Sequence, residues 1–216
     1  MTNTPASAMA SPGIRLLAFF SALCLALPLM GQRLQEGDLL FCCPDTANAI
    51  TAVTSGVEGL PIDHVAVVHR IGGEDGILFV IEAVKPMVCL TPIDTFVNEN
   101  GPVLVARVKA DLDVKSSVKR CLAMVGKPYD DLYLPGDSAV YCSELVQMCY
   151  VTRAGQPVFG TIPMSFHDAT GQVTRYWTDF YSGRGMEVPE GLPGTNPGEL
   201  SRSPQVTIVG KYPILL

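Results

Sequence analysis

Within Tyr141-Cys142-Ser143-Glu144-Leu145-Val146, Cys142 stands where a thiol could act as a nucleophile. A turn-rich loop, Pro135-Gly136-Asp137-Ser138, precedes it and an amphipathic run follows, so the sulfur falls at a helix N-terminus. Unpaired N–H groups and the positive end of the helix dipole favour thiolate there. The same amides can donate to the oxyanion formed when sulfur attacks a carbonyl. The alternative is a buried cysteine opening a core helix. A nucleophilic thiol needs a base, and the chain offers only His64, His69 and His167. His64 begins a β-branched run after Pro61-Ile62-Asp63, which puts its ring at a sheet edge. His69, five residues on, falls on the opposite face of that strand, and His167 lies in a polar stretch. The next apolar run, Phe79-Val80-Ile81-Glu82-Ala83-Val84, embeds a carboxylate, which is costly unless it is partnered. Pairing Glu82 with the far nitrogen of His64 would orient the imidazole and complete a nucleophile–base–orienter set. Strand alternation equally permits Glu82 to face solvent.

Three groups so far apart must be brought together by the elements between them. Gly37-Asp38 followed by Leu39-Leu40-Phe41-Cys42 predicts a turn and a strand, and residues 46–54 predict a short helix capped by Asp45 or Thr46. The runs 64–70 and 77–83 flank a Gly-rich turn and read as a hairpin. Residues 88–90 give a third short strand. Thr91-Pro92-Ile93-Asp94 is a helix-start pattern, with Thr as N-cap and Pro at the first helical position. A strand is expected over 104–108. Val118, Cys121, Leu122 and Val125 mark one helix face that Gly126 ends, and 142–150 repeats that period. Residues 182–204 are Gly/Pro-rich, turn-like and surface-like, long enough to cover part of a cleft, and 206–212 returns as a strand. Antiparallel strands with helices grouped apart imply one α+β domain; no repeat and no second domain are visible.

Composition narrows the function classes. With 48% hydrophobic and 17% charged residues the chain is too apolar for a disordered tail. Acidic residues outnumber basic ones 21 to 15, which argues against a nucleic-acid partner. Residues 14–30 form an apolar run with Arg15 as its only charge, the layout of a secretory signal or, uncleaved, of an anchor. The expected organisation is a signal or anchor over 1–31 and a folded domain over 32–216, exported to the periplasm or extracellular space. The seven cysteines (24, 42, 43, 89, 121, 142 and 149) show no disulfide framework and no CxxC pair, so neither a structural zinc nor a cofactor is expected.

The ordered set GDLLF, DHVAVV, VIEAV, TPIDTFV, GKPYDDLY and YCSELV, with the closing GMEVPEGLPGTNPGELSRSP, resembles the permuted papain-like amidases of the YaeF/YiiX type. These are relatives of the NlpC-like cell-wall peptidases and of the lecithin:retinol acyltransferase group. The resemblance implies a circularly permuted papain-like fold, in which an antiparallel sheet or barrel packs against the helices carrying the nucleophile. It implies Cys142 as nucleophile, His64 as base and Glu82 as orienting group, a carboxylate where NlpC-like enzymes often use histidine or another polar residue. Tyr129 in GKPYDD and Tyr141 become pocket-lining candidates, while Asp38 reads as a turn residue. The implied activity is hydrolysis of an amide or ester through an acyl-thioester. The alternatives are acyl transfer to an amine or alcohol and a non-catalytic envelope- or lipid-binding module. Envelope peptides, N-acyl compounds and lipids all fit as substrates.

Overall fold

Strands form where β-branched and apolar residues concentrate. In the computed structural model, which describes residue 1 and residues 33–213 apart from 74, 110 and 137, β1 (Leu39–Cys42), β2 (His64–Ile71), β3 (Ile77–Val84), β4 (Met87–Pro92), β5 (Val103–Val108) and β8 (Val206–Tyr212) form one sheet. Its order is β4-β3-β2-β1-β5-β8 and every neighbouring pair is antiparallel. Helices α1 (Ile93–Asn100), α2 (Val114–Ala123), α3 (Cys142–Cys149), α4 (Arg175–Ser182) and α5 (Pro197–Arg202) are grouped away from the strands. Two-residue strands β6 (Ile162–Pro163) and β7 (Pro193–Gly194) pair separately. The expected α+β architecture is therefore present; the run 14–30 lies outside the described residues.

The period of two divides the sheet's side chains between two cores. Leu39, Phe41, Val65, Val67 and Ile81 pack with Val118 and Cys121 of α2 and with Leu145, Val146 and Cys149 of α3. Leu40, Ala66, Val68 and Val80 pack with Ile93 and Phe96 of α1 on the other face. Each such fully buried aliphatic side chain contributes about 1.5–3 kcal/mol. A third cluster, Met164, Phe166, Trp177 and Tyr181, is built from the chain beyond α3.

Asp38 is more than a turn residue. It is 1% exposed, accepts from Arg107 Nε and Nη2 at 2.8 Å each, and accepts from the Gln35 amide at 2.8 Å. The bidentate pair ties the turn before β1 to β5. Asp38→Ala strands the guanidinium and the amide together, so the urea midpoint should fall by the equivalent of about 2–3 kcal/mol with the slope unchanged.

Four expectations are corrected. Residues 46–54 make one turn rather than a helix, because Asn48 Oδ1 takes the Ile50 and Thr51 amides and the β-branched residues that follow do not propagate it. Thr91 is not an N-cap: it lies within β4, whose last residue, Pro92, occupies the cap position of α1, and no side chain caps that helix. Helix α2 stops at Ala123, leaving Val125 exposed, because the chain must turn through Gly126 at φ +89°. Residues 182–204 are not mere surface, since Thr195, Pro197, Gly198, Leu200 and Ser201 are buried. A Cβ on Gly198 would lie 2.7 Å from the Ser55 carbonyl oxygen, so α5 packs directly on backbone.

Candidate active site

Position, more than sequence neighbourhood, makes the site. His64 is the first residue of β2, facing Cys42 of β1 in register, and the preceding Asp63 amide bonds the Cys42 carbonyl at 3.3 Å. One strand over, Glu82 sits near the end of β3 and is 5% exposed. His64 Nε2 lies 2.8 Å from Glu82 Oε2, which assigns the Nε2 proton to that bond. The other carboxylate oxygen accepts from Thr91 Oγ1 at 2.5 Å. The hydroxyl whose spacing suggested a helix cap therefore anchors the carboxylate. Phe96 of α1 closes over the imidazole, with ring centroids 6.2 Å apart.

Helix α3 brings the sulfur. Cys142 is its first residue and is 6% exposed, and it lies close enough to the imidazole to act on that ring's charge state. With Nε2 committed to Glu82, Nδ1 is the nitrogen left for the thiol. Burial alone would push the His64 pKa down, but hydrogen bonds and charge from Cys142 and Glu82 reverse this and raise it to about 10. Burial likewise pushes Glu82 up, yet its bond to His64, the charge of that ring and the Thr91 hydroxyl leave it below the usual carboxylate range. The pair thus favours an imidazolium beside a carboxylate.

The N-terminus of α3 is left open towards this sulfur. Its N-cap, Tyr141, is extended and supplies no side-chain bond to the first amides. Glu144, in the first turn of α3, is 8% exposed. Burial pushes Glu144 up to about 7, and its Oε2 has no partner among the described residues.

Beside Cys142 lies a narrow pocket of about 50 Å³, lined by Tyr129, Tyr133, Tyr141, Asp63, Ser143, Thr195 and an apolar wall that includes Ile50, Val53, Met164, Phe166 and Trp177. Both tyrosines expected at the pocket are there. The Tyr129 and Tyr133 hydroxyls are 3.4 Å apart, and burial pushes both up, so they remain protonated donors. Tyr133 holds φ +53°, unusual for a bulky residue. Asp130 supports it by accepting from the Leu132 and Leu134 amides at 2.9 and 2.8 Å. Tyr141 Oη accepts from the Thr195 amide at 2.9 Å, and a Cβ on Gly194 would come within 2.5 Å of Met164 and 3.0 Å of that hydroxyl. Only glycine lets β7 approach the pocket so closely.

His69 and His167 stand apart from this group. His69 Nδ1 pairs with Glu36 at 2.7 Å, and His167 pairs with Glu190 at 3.2 Å. Sequence reasoning missed Thr91, Asp63, Tyr133 and the wall from α4, which includes Trp177. Only Trp177 carried a signal, as the chain's single tryptophan. Cys42, Cys43, Cys89, Cys121, Cys142 and Cys149 are all free thiols.

Comparison with known proteins agrees with this fold. YiiX of Escherichia coli K12, itself an uncharacterized protein, is 30% identical over 139 residues, covering 62% of this chain and 67% of its own. The crystal structure of YiiX from E. coli O157:H7, described there as a metalloprotein, superposes with a TM-score of 0.66 at 25% identity, over 82% of this chain and 97% of that one. Among the described residues no group of three or more His, Cys, Asp or Glu side chains could hold a metal ion. Residues 33–210 match the family of permuted papain-like amidases called YaeF/YiiX or C92, and the chain belongs to that family of cysteine-type hydrolases.

Proposed function

We propose that the protein hydrolyses an amide or ester through an acyl-thioester on Cys142, with His64 as the base and Glu82 as its positioning residue. The observation that carries this reading is the 2.8 Å bond from His64 Nε2 to the buried Glu82, with Cys142 at the start of α3 acting on the same ring. With the thiol proton already taken up at Nδ1, His64 is the imidazolium as the sulfur bonds to the carbonyl carbon. The carbonyl oxygen gains the electron pair and meets the open amides at the start of α3. When the tetrahedral species collapses, the bond to the leaving nitrogen or oxygen breaks and His64 returns the proton to it. Water then attacks the thioester, gives a proton to His64, and releases the acid with the thiol restored.

The cavities fit these two halves of a substrate. Cys142 lines the narrow pocket, whereas His64 lines a separate polar cavity of about 300 Å³ with Glu82, Thr91, Thr95 and Glu99. The acyl part belongs on the sulfur side and the leaving group on the imidazole side, where its proton is delivered. No step of this mechanism is routed through a metal, because among the described residues no three His, Cys, Asp or Glu side chains form a ligand set.

The test is acylation of the purified protein by a 4-nitrophenyl ester, followed by intact mass. One acyl adduct, mapped to Cys142, is expected; an adduct elsewhere, or none, refutes the reading. His69→Ala should acylate at the wild-type rate. Thr91→Val removes one charge-assisted bond to Glu82 and should slow acylation about 10-fold, while Thr91→Ser restores most of it.

A further inference from the structure

The pocket beside Cys142 carries a pattern that general acyl hydrolysis does not require. Among the described residues, Asp63 is the one charged side chain lining it. Its carboxylate has a single side-chain partner, Asn48 Nδ2 at 2.6 Å, among the described residues. Ser143 and Thr195 also line the pocket; they are 0% and 3% exposed, and their hydroxyl oxygens have no hydrogen-bond partner among the described residues. Buried hydroxyls are ordinarily satisfied, and two orphans at one pocket point to a polar atom supplied by a ligand. The remaining wall is apolar and aromatic.

Size and charge restrict what fits. A cavity of about 150 Å³ is enough to take benzene, so about 50 Å³ suits a short aliphatic group and not a long alkyl chain. A carboxylate with no basic side chain beside it in the pocket repels an anionic acyl group and attracts an ammonium. Asp63 lines the same pocket as Cys142, so a cation held there shares the cavity with an acyl group on the sulfur.

We propose that this pocket selects an α-aminoacyl donor with a small apolar side chain, its ammonium held at Asp63, its polar atoms met by the Ser143 and Thr195 hydroxyls, and its side chain against the Ile50–Val53–Met164 wall. The inference rests on the acyl-thioester reading above and names its substrate class. The bond changes are those already given: the aminoacyl carbon passes from the leaving group to Sγ and then to water. Anionic acyl groups, such as those bearing a free carboxylate beside the scissile bond, are excluded by the same carboxylate.

The test compares 4-nitrophenyl esters of L-alanine and L-valine with a free amine, N-acetylated and N-succinylated, with 4-nitrophenyl acetate as the neutral reference. The readout is the rate of Cys142 acylation by mass. Wild type should acylate from the free-amine esters on the order of 10–100-fold faster than from their N-acetyl forms, and more slowly still from N-succinyl forms. Asp63→Asn should bring the free-amine to N-acetyl ratio close to 1, and Thr195→Val should reduce it in part. A flat or inverted wild-type ratio overturns the proposal without any variant, as does a ratio that survives in Asp63→Asn. If 4-nitrophenyl acetate acylates Cys142 while the ratio is flat, the substrate class alone fails. If no ester acylates Cys142, the hydrolase reading fails with it.

Discussion

Cys142→Ala should lose the acyl adduct entirely and lower turnover of any activated ester by about 10⁴-fold or more, leaving only background reaction at the site. The size of the effect follows from the mechanism's dependence on a covalent bond to one atom. The fold should be little affected. Cys142 is 6% exposed at the first turn of α3, so removal of its sulfur leaves a small void worth about 1 kcal/mol. Leu145, Val146 and Cys149 continue to hold α3 on the sheet. A melting temperature within a few degrees of wild type, with no adduct by mass, separates loss of chemistry from loss of structure. Cys142→Ser keeps a hydroxyl at the site but a far weaker nucleophile, and it should behave like the alanine variant. An alanine variant that still forms a saturating adduct would assign the acylation to another of the free thiols or to a lysine.

How much of this site was legible in the sequence follows from what each residue's role depends on. Cys142, His64 and Glu82 were readable because each is locally anomalous: a thiol at a loop-to-helix junction, a histidine opening a strand, and a carboxylate inside an apolar run. Alternation also separated His64 from His69, which pairs with Glu36 away from the sulfur. Thr91 was misread because Thr-Pro-x-Asp carries the local signature of a helix start. Pairing with β3 overrode that preference, placing Cys89 opposite Glu82 and so bringing the threonine two residues later to the same carboxylate. The pocket wall was illegible for a different reason. Helix α4 and the stretch 193–197 are joined to the nucleophile only by tertiary contacts, such as Trp177 Nε1 donating to the Ala49 carbonyl at 3.2 Å and the Thr195 amide donating to Tyr141 Oη. Glycine and proline in that stretch looked like surface turns, yet Gly194 and Gly198 serve close backbone approach. Local pattern reads strands and anomalous residues well; it does not read what a returning chain covers.

His64→Ala should lower the acylation rate by about 10³-fold, and added imidazole should recover part of it in proportion to concentration. The same variant changes stability in a way that depends on pH, which distinguishes a buried charged pair from a simple packing loss. In wild type the His64 pKa rises from 6.5 to about 10, so the stabilisation from its proton is complete below pH 6.5 and fades as pH climbs towards 10. Glu82 lies below its ordinary 4.5, so its contribution is complete above pH 4.5 and is lost as pH falls through the lowered value. The pair therefore stabilises most between about pH 4.5 and 6.5. Removing the ring strands a carboxylate that is 5% exposed with only Thr91 to answer it. Burial then dominates, the carboxyl shifts upward, and the folded variant is favoured by the neutral acid. Its stability should fall as pH rises through the neutral range. Thermal melts across pH 5.5 to 10 should show the largest gap between wild type and His64→Ala near pH 5.5 to 7, on the scale of about 3 kcal/mol expected for a broken buried pair. The gap should narrow towards pH 10 as the wild-type imidazolium loses its proton. Glu82→Gln in the same background removes the stranded charge, so the double variant should be more stable than His64→Ala at neutral pH. A pH-independent gap, or a double variant less stable than the single one, would mean that ring and carboxylate are packed side by side without sharing charge.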